Sequence, residues 1–358
     1  MRKRAMKVIH CSDIHLDSRL EGVNSQERNN ELLNTFNKMV DYAVSNGVRA
    51  IIIAGDLFDT QTPNSKTKKF LSDLISQTPN IDFLYLKGNH DGYDIFDAVD
   101  MPPNFKPFLD KWTTYNYDDV TIAGIQTTED NYKSLYQQLN LNPGRKNIVV
   151  MHGQISASSK PDAVNLELLK NKNIDYLALG HYHSFTWDRL DKRGVYCYSG
   201  CLEGRGYDEI GEKGFVLLDT QNLGAPPKLV TGLSHRTVYE IDVDITGKSS
   251  YLEIKNAISQ AVSGIDSKHY VKANLTGYYI LGAQKDLHHI KLDFEPLFYS
   301  FKVQDNTLLQ IDIEDYKYDI SLKGEFIRSV LKSNLPQKQK EDIINFGIRA
   351  LKGEDIIL

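Results

Sequence analysis

At 358 residues, with 41% hydrophobic and 25% charged side chains, the chain can bury a sizeable core and supply two or three domains. A formal net charge of −5 excludes a protein that gathers nucleic acid by bulk charge alone, although two bound divalent cations would nearly cancel it. The cysteines Cys11, Cys197 and Cys201 form no disulfide framework and suit a reducing cytoplasm, and the CxxxC spacing of the last two lacks the second pair that a structural zinc site needs.

The start, MRKRAMKVIHCSD, is basic like the head of an export signal, but the apolar run Met6–Cys11 is too short to complete one. No later run approaches the ~20 apolar residues that cross a bilayer, so no membrane association is expected. Apolar strands are predicted at 6–11, 50–54, 83–86, 120–124, 148–151, 176–179, 195–198 and 215–218. Between the first two, Leu32, Leu33, Phe36, Met39, Val40 and Ala43 recur at helical spacing, and Gly47 stands where a glycine would end that helix. A second helix is predicted over 66–76. Strands alternating with helices make this an α/β layered domain over residues 1–235.

Composition changes at NLGAPPKLVTG, where Gly224, Pro226 and Pro227 break regular structure. TVYEIDVDI then reads as a strand, Tyr251–Val262 as a helix and YVKANLTGYY as a strand, with two more near 299–303 and 308–313. These make a small α+β module over 236–320. The tail, 321–358, reads as two helices, 322–331 and 337–351, with Phe326, Ile327, Val330, Ile343, Ile344, Phe346, Ile348 and Leu351 as apolar positions.

Polar side chains gather at the strand ends. The fully apolar IIIA of IIIAGDLFDT gives way at Gly55 to Asp56 and Asp59. The first strand ends in SDIHLD (Asp13, His15), the third in LKGNHD (Asn89, His90, Asp91), the fifth in VMHGQ (His152) and the sixth in LGHYHS (His181, His183). Residues two apart in an extended strand point the same way, so Asp13 with His15, and His181 with His183, are expected to converge. Gly55, Gly88 and Gly180 let the chain turn as it leaves each strand. Carboxylate, imidazole and amide donors without thiolate suit Mn²⁺, Fe²⁺ or Zn²⁺. Seven donors exceed one ion's needs and match two ions bridged by a carboxylate. His10, His235, His269, His288 and His289 stand outside any motif and read as structural or solvated. Lys66–Lys69 reads as a solvated helix face and Cys11 as a small buried hydrophobe.

The ordered set DxH, GDxxD, GNHD, a lone His and GHxH resembles the calcineurin-like metallophosphoesterases. The resemblance implies a four-layer α/β/β/α sandwich with a small α+β cap and C-terminal helices. It implies that Asp13, His15 and His183 hold one ion, that Asn89, His152 and His181 hold a second, and that Asp56 bridges them. It places His90 beside the ions as a catalytic group, oriented by Asp91. Asp59 stands where some nuclease members carry histidine and is expected to act behind the ligands; Asp17 and Arg19 are candidates for substrate contact.

IHCSDIHLDS, IIIAGDLFDT and YSGCLEGRGYDEIGEKGFVLLD further resemble the SbcD-type DNA exonuclease subunits, most strongly to Asp219 and by architecture beyond it. That resemblance implies a Mn²⁺-dependent exonuclease and endonuclease of 3′ to 5′ polarity in DNA repair. The cap would contact duplex DNA, the terminal helices would dock an SbcC-like coiled-coil ATPase, and a homodimer is allowed. Two other readings stand beside it. A small-molecule phosphodiesterase or phosphatase would need neither cap nor tail, and a non-catalytic scaffold would have lost ligands that this chain keeps.

Overall fold

The computed structural model describes residues 5–18, 25–92, 96, 100–280, 283–310 and 318–351. The chain divides into two compact units, Met1–Val238 and Tyr239–Leu358.

In the first unit two six-stranded sheets carry the predicted strands. One sheet centres on Lys7–Cys11, Val48–Ala54 and Asp82–Leu86, all parallel, and extends through Phe105–Pro107 on one side and the antiparallel Phe215–Asp219 and Lys228–Val230 on the other. The second centres on Val120–Gly124, Lys146–His152, Tyr176–Gly180 and Val195–Tyr198, again parallel, with antiparallel edges Thr113–Tyr117 and Thr186–Arg189.

Each central strand is mainly apolar because both its faces are covered. Val8, Ala50, Ile52, Ala54 and Leu84 meet Ile122, Ile148, Val150 and Ala178 between the sheets. The alternate residues Ile9, Ile51, Ile53 and Phe83 meet Leu32, Phe36, Met39 and Leu71 of helices Ser25–Ser45 and Ser65–Ser76. The outer face of the second sheet is covered more thinly, by the four-residue helix Leu135–Gln138 and neighbouring loops around Val149, Met151 and Leu177. The outcome is the expected α/β sandwich with a slender fourth layer. His10 lies between the sheets, 2.9 Å from the Tyr176 hydroxyl, and burial pushes its pKa down to about 3, so it is a neutral core residue.

The second unit has a three-stranded sheet, Val238–Asp244, Tyr270–Thr276 and Ser300–Asp305, the last two parallel. Helix Tyr251–Ala261 starts in a reciprocal cap between Ser250 and Glu253. The tail helices Leu322–Lys332 and Gln337–Leu351 send Ile327, Ile344 and Ile348 into the same core as Ile254, Val271, Leu275 and Phe294. A Cβ on Gly347 would fall 2.1 Å from the Phe326 ring, so the glycine allows the two tail helices to touch. Among the described residues, the module and the tail helices share this one core. Of the strand expected over 308–313, Leu308–Leu309 is seen, paired with Tyr278–Tyr279, and positions 311–313 lie outside the described residues. Among the described residues no helix is long and apolar enough to cross a membrane.

Candidate metal centre

The carboxyl ends of both sheets meet at one place. His152, at the end of Lys146–His152, sets its Nδ1 2.8 Å from the carbonyl of Ala54, the last residue of Val48–Ala54 in the other sheet. Around that junction the backbone is strained: Asp13 (φ 51°), His15 (φ 51°), Asp56 (φ 50°) and His181 (φ 107°) all lie in the left-handed region that side chains disfavour. A ladder of hydrogen bonds holds the strain in place. The amides of Asp13, Ile14, His15 and Leu16 donate to the carbonyls of Gly55, Asp56, Asp56 and Leu57 at 2.9–3.0 Å. Strand pleating is not what brings these side chains together. Asp13 and His15 converge because both sit on a left-handed turn beyond the strand, and His181 likewise lies past the strand's last residue, Gly180.

The three glycines are required by proximity. A Cβ on Gly55 would lie 2.0 Å from His152 Nδ1, one on Gly88 2.1 Å from Asp56 Oδ1, and one on Gly180 1.9 Å from the Ala54 carbonyl oxygen. Only Gly55 also has a positive φ, 97°.

Two groups of donors result. Asp13, His15 and His183 form one, with His183 Nε2 3.8 Å from Asp13 Oδ1 and 3.2 Å from His15 Nε2. Asp56, His152 and His181 form the other. Asn89 Oδ1 joins the second group, 2.9 Å from His152 Nε2 and 3.2 Å from His181 Nδ1. Asp56 Oδ2 faces both, 3.9 Å from His15 Nε2 and 3.4 Å from His152 Nε2. Asp13 and Asp56 are both buried.

Hydrogen-bond partners assign the tautomers. His15 Nδ1 is 2.9 Å from Asp59 Oδ1, His183 Nδ1 is 2.7 Å from Glu209 Oε1, and His152 Nδ1 faces the Ala54 carbonyl. Opposite a carboxylate or carbonyl oxygen each Nδ1 must carry the proton, so each Nε2 of the neutral ring offers a lone pair. The lone pairs of His15 and His183 therefore point at one another, and that of His152 points at the oxygens of Asn89 and Asp56. Acceptors facing acceptors need a cation between them, so the donor set fits two divalent ions.

The charges agree. Burial alone would raise the Asp56 pKa, but hydrogen bonding and charge from His152 hold it well below the carboxylate range. Burial opposes charge on His152, yet the Asp56 carboxylate outweighs it and pushes the imidazole up to about 9.

Residues 6–185, half of the chain and all five motifs, match the calcineurin-like phosphoesterase family. The chain belongs to that family. It is therefore a phosphoester hydrolase whose family uses divalent metal ions. The chain is 25% identical over 352 residues to the DNA double-strand break repair protein Mre11 of Sulfolobus acidocaldarius, covering 92% of this chain and 90% of that one. It is 25% identical over 297 residues to the Mre11 of Thermoplasma acidophilum, covering 72% and 76%. The metallophosphoesterase YhaO of Bacillus subtilis is 26% identical over 237 residues, covering 60% and 57%.

In this calcineurin-like phosphoesterase the seven expected donors come together, and the residues behind them depart from expectation. His90 is beside the donors and half exposed, and the Asp91 carboxylate expected to orient it is engaged elsewhere. The Asp91 carboxylate is buried and accepts from the amides of Leu57 (3.3 Å), Phe58 (2.8 Å) and Gly88 (3.0 Å), so it clamps the Asp56 loop to the GNHD turn. The group facing His90 is Asp59, whose Oδ1 lies 3.2 Å from His90 Nδ1 while it also receives His15. Burial would raise the Asp59 carboxyl, but hydrogen bonds from His15 and Ser18 hold it down at about 2.

Asp17 is likewise committed. It accepts from the Asn64 amide at 2.6 Å and the Thr67 hydroxyl at 2.7 Å, fastening the start of helix Ser65–Ser76. Arg19 lies outside the described residues.

Glu209 and Arg205 are the site residues that motif reading missed. They follow the last histidine by more than twenty positions in an irregular loop, where neither strand parity nor helical spacing says what faces the site. The segment YSGCLEGRGYDE marked the loop without marking the residues.

Proposed function

We propose that this phosphoesterase is a DNA nuclease that works with two divalent cations, Mn²⁺ ahead of Fe²⁺ or Zn²⁺. Asp13, His15 and His183 would hold one ion, Asn89, His152 and His181 the other, and Asp56 both. The observation that carries the reading is the placement of one atom, Asp56 Oδ2, between the two donor groups, 3.9 Å from His15 Nε2 and 3.4 Å from His152 Nε2. When bound, such a pair supplies positive charge to phosphoryl oxygens and makes water more acidic.

The chain's own part in the chemistry falls to His90. Its Nδ1 is held 3.2 Å from Asp59, which leaves Nε2 to hydrogen-bond a phosphoryl oxygen and to hand a proton to the departing oxygen. Water attacks phosphorus in line, and no covalent enzyme intermediate forms.

DNA as substrate is supported by the relatives named for double-strand break repair, which align along most of the chain. By the resemblance to SbcD-type subunits the protein would act as exonuclease and endonuclease, 3′ to 5′, with an SbcC-like ATPase. Apolar residues left exposed on and before the tail helices, Ile320, Leu322, Ile343, Phe346 and Leu351, support that docking. The three free cysteines support a cytoplasmic setting.

Purified protein with Mn²⁺, given end-labelled duplex DNA, bis-p-nitrophenyl phosphate and cyclic nucleotides, tests the proposal. Shortening of the duplex supports it. Turnover of the small diesters with DNA left whole, even after the ATPase is added, would move the function to small substrates. Failure on every substrate with both ions bound would make the chain a scaffold.

A further inference from the structure

The two donor groups are supported in different ways. His152 takes its orientation from a backbone carbonyl, and Nδ1 of His181 meets the Asn89 amide oxygen. His15 and His183 each depend on a carboxylate, Asp59 and Glu209. Two buried or half-buried carboxylates close together need a shared counter-charge.

Arg205 provides it. Its Nη2 and Nε donate to Glu209 Oε1 at 2.9 and 3.2 Å, its Nη1 lies 3.5 Å from Asp59 Oδ1 and 3.4 Å from Ser18 Oγ, and its backbone amide donates to Glu209 Oε2 at 2.7 Å. Nη2 also lies 3.2 Å from His183 Nδ1, beside the oxygen both share. The loop that carries Arg205 is fixed from behind. Glu203 accepts from the amides of His235 and Arg236 at 2.7 and 2.8 Å and from the Thr35 hydroxyl at 2.7 Å, and the buried Arg28 donates to the Gly204 carbonyl.

We infer that Arg205 is the positioning residue for one ion of the pair: its guanidinium ties Asp59 to Glu209, and so sets His15 and His183 for the first ion while leaving the second ion's site independent of it. The inference rests on the two-cation reading above. A lysine would not replace it, because the fork reaches two carboxylates through separate nitrogens and a single ammonium cannot.

The experiment is Mn²⁺ binding followed by calorimetry, with the electron spin resonance of the bound ions as a signature. The wild-type chain is expected to bind two ions and to show the spectrum of a coupled pair. Arg205→Ala is expected to weaken one ion 10–100-fold, as loss of a group behind a ligand does. The other ion should stay within about twofold, and subsaturating Mn²⁺ should give the lines of isolated ions. Arg205→Lys should recover only part of the loss. Glu209→Gln should reproduce the selective loss and serves if Arg205→Ala does not fold. A wild-type chain that binds fewer than two ions would sink the two-cation reading itself. A wild-type chain that binds two, with variants that keep both at full affinity or lose both alike, would overturn the role of Arg205.

Discussion

Asp56 Oδ2 lies 3.4 Å from Nε2 of His152, a buried imidazole. Without metal, a proton on His152 stands where a cation would. The folded chain binds that proton up to about pH 9, against 6.5 for an ordinary imidazole. A raised pKa stabilises the fold fully below pH 6.5, and the stabilisation is lost as pH rises through 9. The loss amounts to about 3 kcal/mol for a shift of this size. The melting temperature of metal-free protein should therefore fall between pH 6.5 and 9, and uptake of Mn²⁺ near pH 7.5 should release protons into a weakly buffered solution. A flat melting temperature across that window, with no protons released, would show that His152 is neutral.

Much of this centre was legible because parallel strands advertise their ends. In IIIAGDLFDT, Ile51 and Ile53 face the helices while Ile52 and Ala54 face the other sheet, so a strand buried on both faces could be read without ambiguity. The strands of the two large sheets that went unread, Phe105–Pro107, Thr113–Tyr117, Thr186–Arg189 and Lys228–Val230, are edges, short and partly exposed, with no strong apolar pattern. The exchange of roles between Asp59 and Asp91 was beyond reach for another reason. Asp91 is drawn to the amides of Leu57, Phe58 and Gly88 while Asp59 lies 3.2 Å from His90, and neither contact follows from strand parity or helical spacing. Glu209 depends on a loop path that no local pattern encodes.

Gly88→Ala should damage the metal centre although it touches no donor's chemistry. The added methyl would lie 2.1 Å from Asp56 Oδ1 and 2.4 Å from the Asp56 amide nitrogen, both held by their own turn. Overpacking of this kind costs about 1–3 kcal/mol. Because Asp56 faces both donor groups, both ions should weaken together, as they should in Asp56→Asn. Metal content measured after gel filtration reads this directly. Retention of one ion at full occupancy in Asp56→Asn would contradict the bridging role.

The tail helices carry two kinds of apolar residue, and stability separates them. Ile348→Ala removes a side chain buried in the second unit's core and should cost about 2–4 kcal/mol in urea unfolding. Leu322→Glu alters a residue 73% exposed and should leave stability within about 0.5 kcal/mol. If a coiled-coil ATPase docks here, Leu322→Glu should weaken its capture while Mn²⁺-dependent turnover of bis-p-nitrophenyl phosphate persists. A Leu322→Glu protein as unstable as Ile348→Ala would place that leucine in a core.

Asp59 and Asp91 make the sharpest contrast. Asp91→Ala strands three amides, those of Leu57, Phe58 and Gly88, in a buried turn, and should cost about 3 kcal/mol or more. Its damage to activity should follow its damage to folding. His90→Gln, at a half-exposed position, should lower kcat at least a hundredfold with fold and both ions kept, the loss expected for a positioned proton donor. Asp59→Asn keeps the shape of the side chain but removes the charge shared by His15 and His90, so kcat should fall about 10–100-fold in a protein of nearly unchanged stability. An Asp91 variant that stayed stable yet lost turnover, beside an Asp59 variant that kept it, would return the orienting role to Asp91.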